Sequence, residues 1–303
     1  MFKFTNSIFI SKNNFMNFKN SILLPPSFVI PEPIILLAKI TQLFSTNLTA
    51  RFGIKLFSTP IKFTIPNRER IMLQSAQKKT INITTISKKV EILSYGYSKK
   101  KVLLVHGWAG RSTQLFMIAD KLLEKGYMVI SFDGPAHGNS EGKTTMMPDF
   151  LDTIAEIDNQ FGPFEAAVGH SFGGMCLYNS VSNNFKIKKL VTIGAADKIS
   201  DVILNFTKNL KVKSSIAYKM KNLFDKQWNT DIDKHSSSIV AKNINIPVLI
   251  VHDSNDGDVP VSCAINIRQN TPEGRLLITK GLGHTKILRN KKVTSDIVDF
   301  IIQ

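Results

Sequence analysis

Short, continuously apolar runs alternate with helical apolar faces along the last two thirds of the chain. Residues 81–86, 90–95, 102–105, 128–132, 166–168, 190–193, 248–251 and 276–278 read as strands, the central ones bounded by glycine or charge. Successive side chains of a strand point to opposite faces, so a run that is apolar at every position suits a strand buried on both. Between these runs, apolar residues recur at spacings of three and four: Leu115, Ile118, Ala119 and Leu122; Phe150, Ile154 and Ile157; a stretch starting at Ser171; and Val293, Ile297, Phe300 and Ile301. Each set lines one face of a helix. The alternation predicts an α/β fold with a mainly parallel sheet covered on both sides.

One segment breaks the rhythm. Residues 197–245 separate two strands and carry helical faces at Val202, Phe206 and Leu210, then at Ile216, Met220 and Phe224. An insertion of that length inside a domain needs structure of its own, and a helical cap over the mouth of the sheet is expected. Upstream, residues 1 to about 30 read as a poorly ordered leader. From Pro33 the pattern is helical, with Leu36, Ile40, Leu43 and Phe44 on one face, and a second short helix is expected over residues 67–77 after Pro66. The chain therefore divides into a basic N-terminal extension, residues 1–79, and a main domain, residues 80–303, with its cap at about 197–245. Packing on the outside of the main domain is the expected role of the extension's apolar face, with a lid or membrane contact as the other reading.

Charge sharpens this division. Residues 1–100 hold 15 Lys+Arg against 3 Asp+Glu, a net +12 out of +16 for the whole chain. No nucleic-acid module accompanies the basic residues, which argues against a nucleic-acid partner and leaves contact with anionic membrane surfaces open. The apolar stretch over residues 21–40 is broken by Pro25, Pro26, Pro31 and Pro33 and charged by Glu32, so a membrane span is not expected. Two cysteines, Cys176 and Cys263, imply no disulfide framework and fit a reducing, cytoplasmic setting.

The candidate chemistry lies at strand ends. Gly169-His170-Ser171-Phe172-Gly173-Gly174 follows an apolar strand and opens a helical run. A nucleophile on a sharp strand-to-helix turn needs a strained backbone, and glycines two residues either side remove the Cβ atoms that would clash. The helix start also aims N–H groups at a developing oxyanion. Upstream, Val105-His106-Gly107-Trp108-Ala109-Gly110 ends another apolar strand.

Together these motifs resemble the α/β-hydrolase family. That resemblance makes Ser171 the nucleophile and the backbone amides of Trp108 and Phe172 the oxyanion donors, the Trp108 indole being either a pocket wall or a packing residue. Asp133-Gly134-Pro135-Ala136-His137-Gly138-Asn139-Ser140 is similar to a structural turn of the family, in which His137 is expected to hydrogen-bond within the turn. His252-Asp253-Ser254-Asn255-Asp256-Gly257-Asp258-Val259-Pro260 resembles the acid-bearing loop, with Asp253 where the family has glycine. Its register selects Asp256, with Asp253, Asp258 and Asp197 as rivals. Lys280-Gly281-Leu282-Gly283-His284-Thr285 supplies the histidine, His284, after the last strand.

The implied activity is a serine hydrolase acting on a small-molecule ester or thioester through an acyl-enzyme, without metal or other cofactor. An amidase, peptidase or carbon–carbon hydrolase shares such a site, and a non-catalytic ligand-binding protein shares the fold. Phe206, Ile216, Met220 and Phe224 of the cap offer either an apolar acyl pocket or ordinary packing.

Overall fold

The computed structural model describes residues 7–10, 23–27 and 29–303. Its strands are β1 (Ser7–Ile10), β2 (Gln77–Ile83), β3 (Lys88–Tyr95), β4 (Lys101–Val105), β5 (Met128–Phe132), β6 (Ala166–His170), β7 (Lys189–Ile193), β8 (Val248–Asp253) and β9 (Gly274–Thr279). They form one sheet in the order β1-β9-β8-β7-β6-β4-β5-β3-β2. Strands β4 to β9 run parallel to one another; β2, β3 and β1 add antiparallel pairings at the two edges.

The helices are α1 (Glu32–Phe44), α2 (Thr46–Phe57), α3 (Arg70–Ser75), α4 (Phe116–Glu124), α5 (Met147–Phe161) and α6 (Phe172–Ser182). They continue with α7 (Ile199–Asn209), α8 (Ser214–Trp228), α9 (Ser237–Val240), α10 (Val261–Asn270), α11 (Gly283–Lys286) and α12 (Lys291–Ile302). On one face of the sheet, Leu103, Val105 and Ile250 pack against Phe150 and Ile154 of α5, Leu177 of α6 and Ile267 of α10. On the other, Val102, Leu104 and Val251 pack against Met72 of α3, Ile118 and Leu122 of α4 and Ile297 of α12. Neighbours in sequence thus belong to opposite core layers, which is why β4 and β8 are apolar at consecutive positions.

Several sequence expectations need correcting. The first thirty residues are not simply a leader, because Ser7–Ile10 pairs antiparallel with β9, from Ser7 opposite Thr279 to Ile10 opposite Leu276. The strand expected over 81–86 starts earlier, at Gln77, and ends at Ile83, where a 3-10 turn over Thr84–Ile86 leads to Ser87 at φ 51°. The helix expected over 67–77 is a 3-10 turn at Asn67–Glu69 followed by α3.

The largest correction concerns the face through which the extension packs. Helices α1 and α2 lie against the inserted helices α7 and α8 of the main domain, but not through Leu36, Ile40, Leu43 and Phe44, which are exposed. Ala50 of α2 is buried with Ile203, Ile216, Met220 and Phe224 of α7 and α8, while Ile35 and Ala38 of α1 close on Leu210. A Cβ on Gly53 would stand 2.9 Å from Met220 Sδ, so α2 and α8 approach closely. Polar contacts fix the pairing: Lys219 Nζ donates to Thr46 Oγ1 (2.6 Å) and Asn47 Oδ1 (2.8 Å), and the Lys213 amide donates to Gln42 Oε1 (2.8 Å). Ile216, Met220 and Phe224 are consumed by this packing. No described helix is long and apolar enough to cross a membrane.

Candidate active site

Ser171 stands between β6 and α6 with φ 50° and ψ −116°, a strained conformation for a residue with a side chain. The flanking glycines make it possible. A Cβ on Gly169 would lie 2.7 Å from the backbone of Gly173, and one on Gly173 would lie 2.5 Å from the carbonyl oxygens of both Val105 and His106. The elbow therefore presses on the end of β4, which brings the two glycine-rich motifs together. In this structure the Ser171 hydroxyl has no hydrogen-bond partner among the described residues. Such bonds often tighten only when substrate binds.

Opposite the elbow, His284 at the start of α11 and Asp256 in the loop after β8 form a dyad, Nδ1 to Oδ2 at 2.7 Å. The carboxylate's other oxygen, Oδ1, accepts the amides of Asp258 (2.8 Å) and Val259 (2.9 Å). Burial pushes the Asp256 carboxyl up, but the hydrogen bond and charge of His284, helped by His252 and the Val259 amide, outweigh it and hold the group below the usual carboxylate range. Burial likewise pulls His284 down, yet its bond to Asp256 and the charges of Asp256 and Asp258 leave it raised above an ordinary histidine. An imidazole so held keeps Nδ1 protonated and leaves Nε2 free to accept a proton.

The rival carboxylates are engaged elsewhere. Asp253 accepts the Asn255 amide (3.0 Å), the Thr279 hydroxyl (2.6 Å) and the Leu282 amide (3.0 Å), tying the acid loop to the histidine loop. Asp197 accepts the Ser238 amide (2.8 Å) and the Asn266 side-chain amide. Asp258 receives the Ser27 amide (2.9 Å) and hydroxyl (3.0 Å), while Leu24 donates its amide to the Asn255 carbonyl (2.8 Å). Residues 24–27 are thus strapped across the acid loop, an arrangement with no signature in the Leu-Leu-Pro-Pro-Ser sequence. Asp256, Asp258 and His284 bring possible metal-ligand atoms within 4.8 Å of one another. Since Asp256 and His284 already bond each other and Asp258 holds Ser27, the grouping is that of a hydrogen-bonded dyad.

Around the elbow, the backbone amides of Trp108 and Phe172 donate to no acceptor among the described residues. Buried neutral histidines shape the loop that carries the first. His106 accepts the Gly134 amide at Nε2 (2.8 Å) and donates from Nδ1 to the Gly107 carbonyl (2.7 Å); burial brings its pKa down to about 4. His137 accepts the Ala109 amide at Nε2 (3.1 Å) and donates from Nδ1 to the Pro135 carbonyl (3.0 Å), and burial together with the nearby His106 brings it to about 3. His137 does hydrogen-bond within its turn, and it also reaches across to hold Ala109, which sits at φ 54°. Asp133 adds a second tie, accepting the Ser112 amide (2.7 Å) and the Asn139 amide (2.8 Å). Beyond them, Arg111 makes a two-pronged ion pair with buried Glu69 (2.7 and 2.6 Å), anchoring the extension to this loop.

Two contributors escaped the sequence reading. His170, beside the nucleophile, is fully buried, donates from Nε2 to the His284 carbonyl (3.1 Å) and lies ring to ring with His284 at 4.8 Å. Burial and the neighbouring His284 bring it to about 3. Only its position next to the serine hinted at this. Phe57, the last residue of α2, stacks on Trp108 at 6.4 Å and meets Phe206 edge-on at 5.2 Å; Trp108 in turn meets Phe172 edge-on at 5.4 Å. The half-buried indole thus packs between Phe172 of the elbow and Phe57 of the extension, and Phe57 in turn meets Phe206 of the cap.

Comparison with known proteins agrees with this architecture. A family model for the alpha/beta hydrolase fold matches residues 100–245, and one described as TAP-like protein matches residues 218–303. No curated protein matches in sequence. Among solved structures, an esterase from Exiguobacterium antarcticum is similar at TM-score 0.60 and 20% identity, over 75% of this chain and 100% of that one. An esterase from Pyrococcus furiosus gives TM-score 0.62 at 17% identity, over 80% and 98%. A thioesterase domain from the curacin biosynthetic pathway gives 0.56 at 15%, over 75% and 99%. The order of motifs along the chain, the strand order of the sheet and these matches agree: the chain has the α/β-hydrolase fold.

Proposed function

We propose that this protein is a serine hydrolase that cleaves an ester or thioester through an acyl-enzyme on Ser171. The observation that carries the reading is the 2.7 Å pair of His284 and Asp256, whose histidine ring lies 4.8 Å from that of His170, the neighbour of a serine held at φ 50°. In this mechanism His284 Nε2 takes the Ser171 proton as Oγ bonds to the carbonyl carbon. The tetrahedral oxyanion receives the amides of Trp108 and Phe172, whose alignment costs nothing further at the moment of reaction. Collapse expels the alcohol or thiol, which takes the proton from His284. Water, deprotonated by the same nitrogen, then attacks the acyl carbon and frees the acid.

The walls of the site favour an apolar acyl group. Trp108, Phe172, Phe57 and Phe206 form a chain of contacting rings that starts at the elbow. Neighbours of the same fold include esterases and a thioesterase domain, which is in keeping with acyl transfer to water. A cytoplasmic setting accords with cysteines that are both free, Cys176 buried and the Cys263 thiol pushed up by burial to about 11.

Labelling with a fluorophosphonate and turnover of p-nitrophenyl esters of increasing chain length test the proposal. The native chain should label and turn over, and Ser171→Ala should lose the label with at least about a 10³-fold fall in turnover. Labelling that survives Ser171→Ala would sink the assignment.

A further inference from the structure

Helix α1 is apolar on two opposite sides, and the fold uses only one. Ile35 and Ala38 face Leu210 and are buried. Leu36, Leu37, Ile40, Leu43 and Phe44 occupy a stripe about 120° wide at 100° per residue, and they are 42% to 83% exposed. Leu43 and Phe44, at the end of the helix, are exposed at 83% and 82%. Just past the α1–α2 corner, Leu48 in the first turn of α2 is also 51% exposed. Isolated exposed leucines are ordinary, but five large apolar side chains on one helix face, followed by a sixth exposed one in the next helix, mark a contact surface.

The charges around the stripe say what it contacts. Lys39 borders it on α1, and Arg51 and Lys55 follow Leu48 at spacings of three and four on the outer side of α2; all three are exposed. Glu32 is the only acidic residue between Val29 and Pro66, and it is paired with Lys211 at 2.7 Å. An apolar ridge bordered by cations that make no ion pair among the described residues is complementary to a surface that is apolar inside and anionic outside. That is the physical description of a bilayer carrying anionic lipid, where acyl-chain contact and headgroup attraction add. A protein partner would have to match a convex two-helix ridge with an acidic rim, and nothing else in the molecule points to one.

We propose that the outer face of α1 and α2 seats this protein on membrane surfaces containing anionic lipid. The ridge is held rigidly for the purpose, since Lys219 and Lys213 bond its corner to α8. It is also joined to the site: α2 turns Leu48, Arg51 and Lys55 outward and ends in Phe57, stacked on Trp108. Seating places the aromatic wall beside the lipid surface. The binding itself does not depend on the hydrolytic reading, so Ser171→Ala should bind vesicles as the native chain does.

The experiment is co-sedimentation of the full-length chain with vesicles of phosphatidylcholine alone, or of phosphatidylcholine with phosphatidylglycerol, at low and at raised salt. Binding is expected to the mixed vesicles, weakened by salt, and at most weakly to the neutral ones. Leu43→Ser with Phe44→Ser should weaken it at least tenfold. Lys39→Glu, Arg51→Glu and Lys55→Glu should each weaken it about fivefold or more, as expected for a basic residue at an anionic surface. These side chains are exposed, so melting temperatures should stay within about 2 °C of native. Absence of binding to the mixed vesicles, or binding unchanged in both sets of variants, overturns the proposal. So does self-association of the native chain that the Leu43/Phe44 variant abolishes, which would make the ridge a contact between two copies.

Discussion

Acidification from pH 8 to pH 5 should destabilise the fold by about 6 kcal/mol through three histidines that the structure buries neutral. An ordinary histidine titrates near 6.5, whereas His106 is held at about 4 and His137 and His170 at about 3, in each case chiefly by burial. At pH 5 the unfolded chain gains about 2 kcal/mol from protonating each ring, which is 1.36 kcal/mol for each of the 1.5 pH units below 6.5. The native state gains almost nothing there. All three folded-state values lie below the unfolded one, so their contribution is intact above 6.5 and is lost as pH falls through the window from 6.5 toward 4. His252, also lowered chiefly by burial, acts in the same direction, while His284, raised by Asp256, acts against it. A loss of that size is comparable with the entire 5–15 kcal/mol stability of a typical domain. Urea unfolding at pH 8, 6.5, 5.5 and 5 measures it. The steepest slope should approach about 4 kcal/mol per pH unit, near 1.4 for each ring. Since His137 donates to the Pro135 carbonyl and accepts the Ala109 amide, His137→Gln should lower stability at pH 8 yet flatten the slope by about a third. Stability that changes by less than about 2 kcal/mol between pH 8 and 5 would refute the assignment of these rings as buried and neutral.

Three further outcomes separate the roles of neighbouring residues. Asp256→Asn should lower turnover by about 10⁴-fold and move the acid limb of kcat/KM, which in the native chain should lie above pH 6.5 because His284 is raised. Asp253→Asn should leave turnover far less affected while costing about 1–3 kcal/mol, since one of the three donors around it would meet an NH₂ group; a greater loss of turnover than in Asp256→Asn would reverse the two assignments. Gly173→Ala should lower the melting temperature by about 5 °C or more, because its Cβ would meet two backbone carbonyls at 2.5 Å and outweigh the gain in helix propensity of about 1 kcal/mol. A neutral or stabilising result would mean that the elbow does not press on β4.

The candidate site was legible in the sequence wherever its geometry is local. The steric demand at Gly169 and Gly173 acts over five residues, and the strand before it and the helix after it are visible as period and run. The register of the acid loop was legible too, since Asp256 needs only its position relative to Val259 and Pro260 to be selected. Its rivals could not be dismissed in one dimension. Asp253 is held by Thr279 and Leu282, some 26 to 29 residues away, which occupy its oxygens, and that pairing exists only once β8 and β9 lie side by side.

What the amino-acid sequence determines by itself is therefore the alternating architecture, the elbow and the order of the candidate site residues, because each follows from spacing within a strand, a turn or a helix. Only the tertiary structure decides where the extension goes. Leu36, Ile40, Leu43 and Phe44 announced an amphipathic helix, and burial of that face was the natural expectation; instead Ile35 and Ala38 are buried against Leu210 and the announced face is left outside. A helix with apolar residues on two sides carries no local information about which side finds a partner. The choice falls to whichever surface is nearest, here the cap helices α7 and α8, and it is this contact that brings Phe57 to Trp108. Likewise, nothing near Leu24 or Ser27 foretells Asn255 and Asp258, because a hydrogen bond spanning 231 residues is set by the shape of the folded chain and not by any pattern along it.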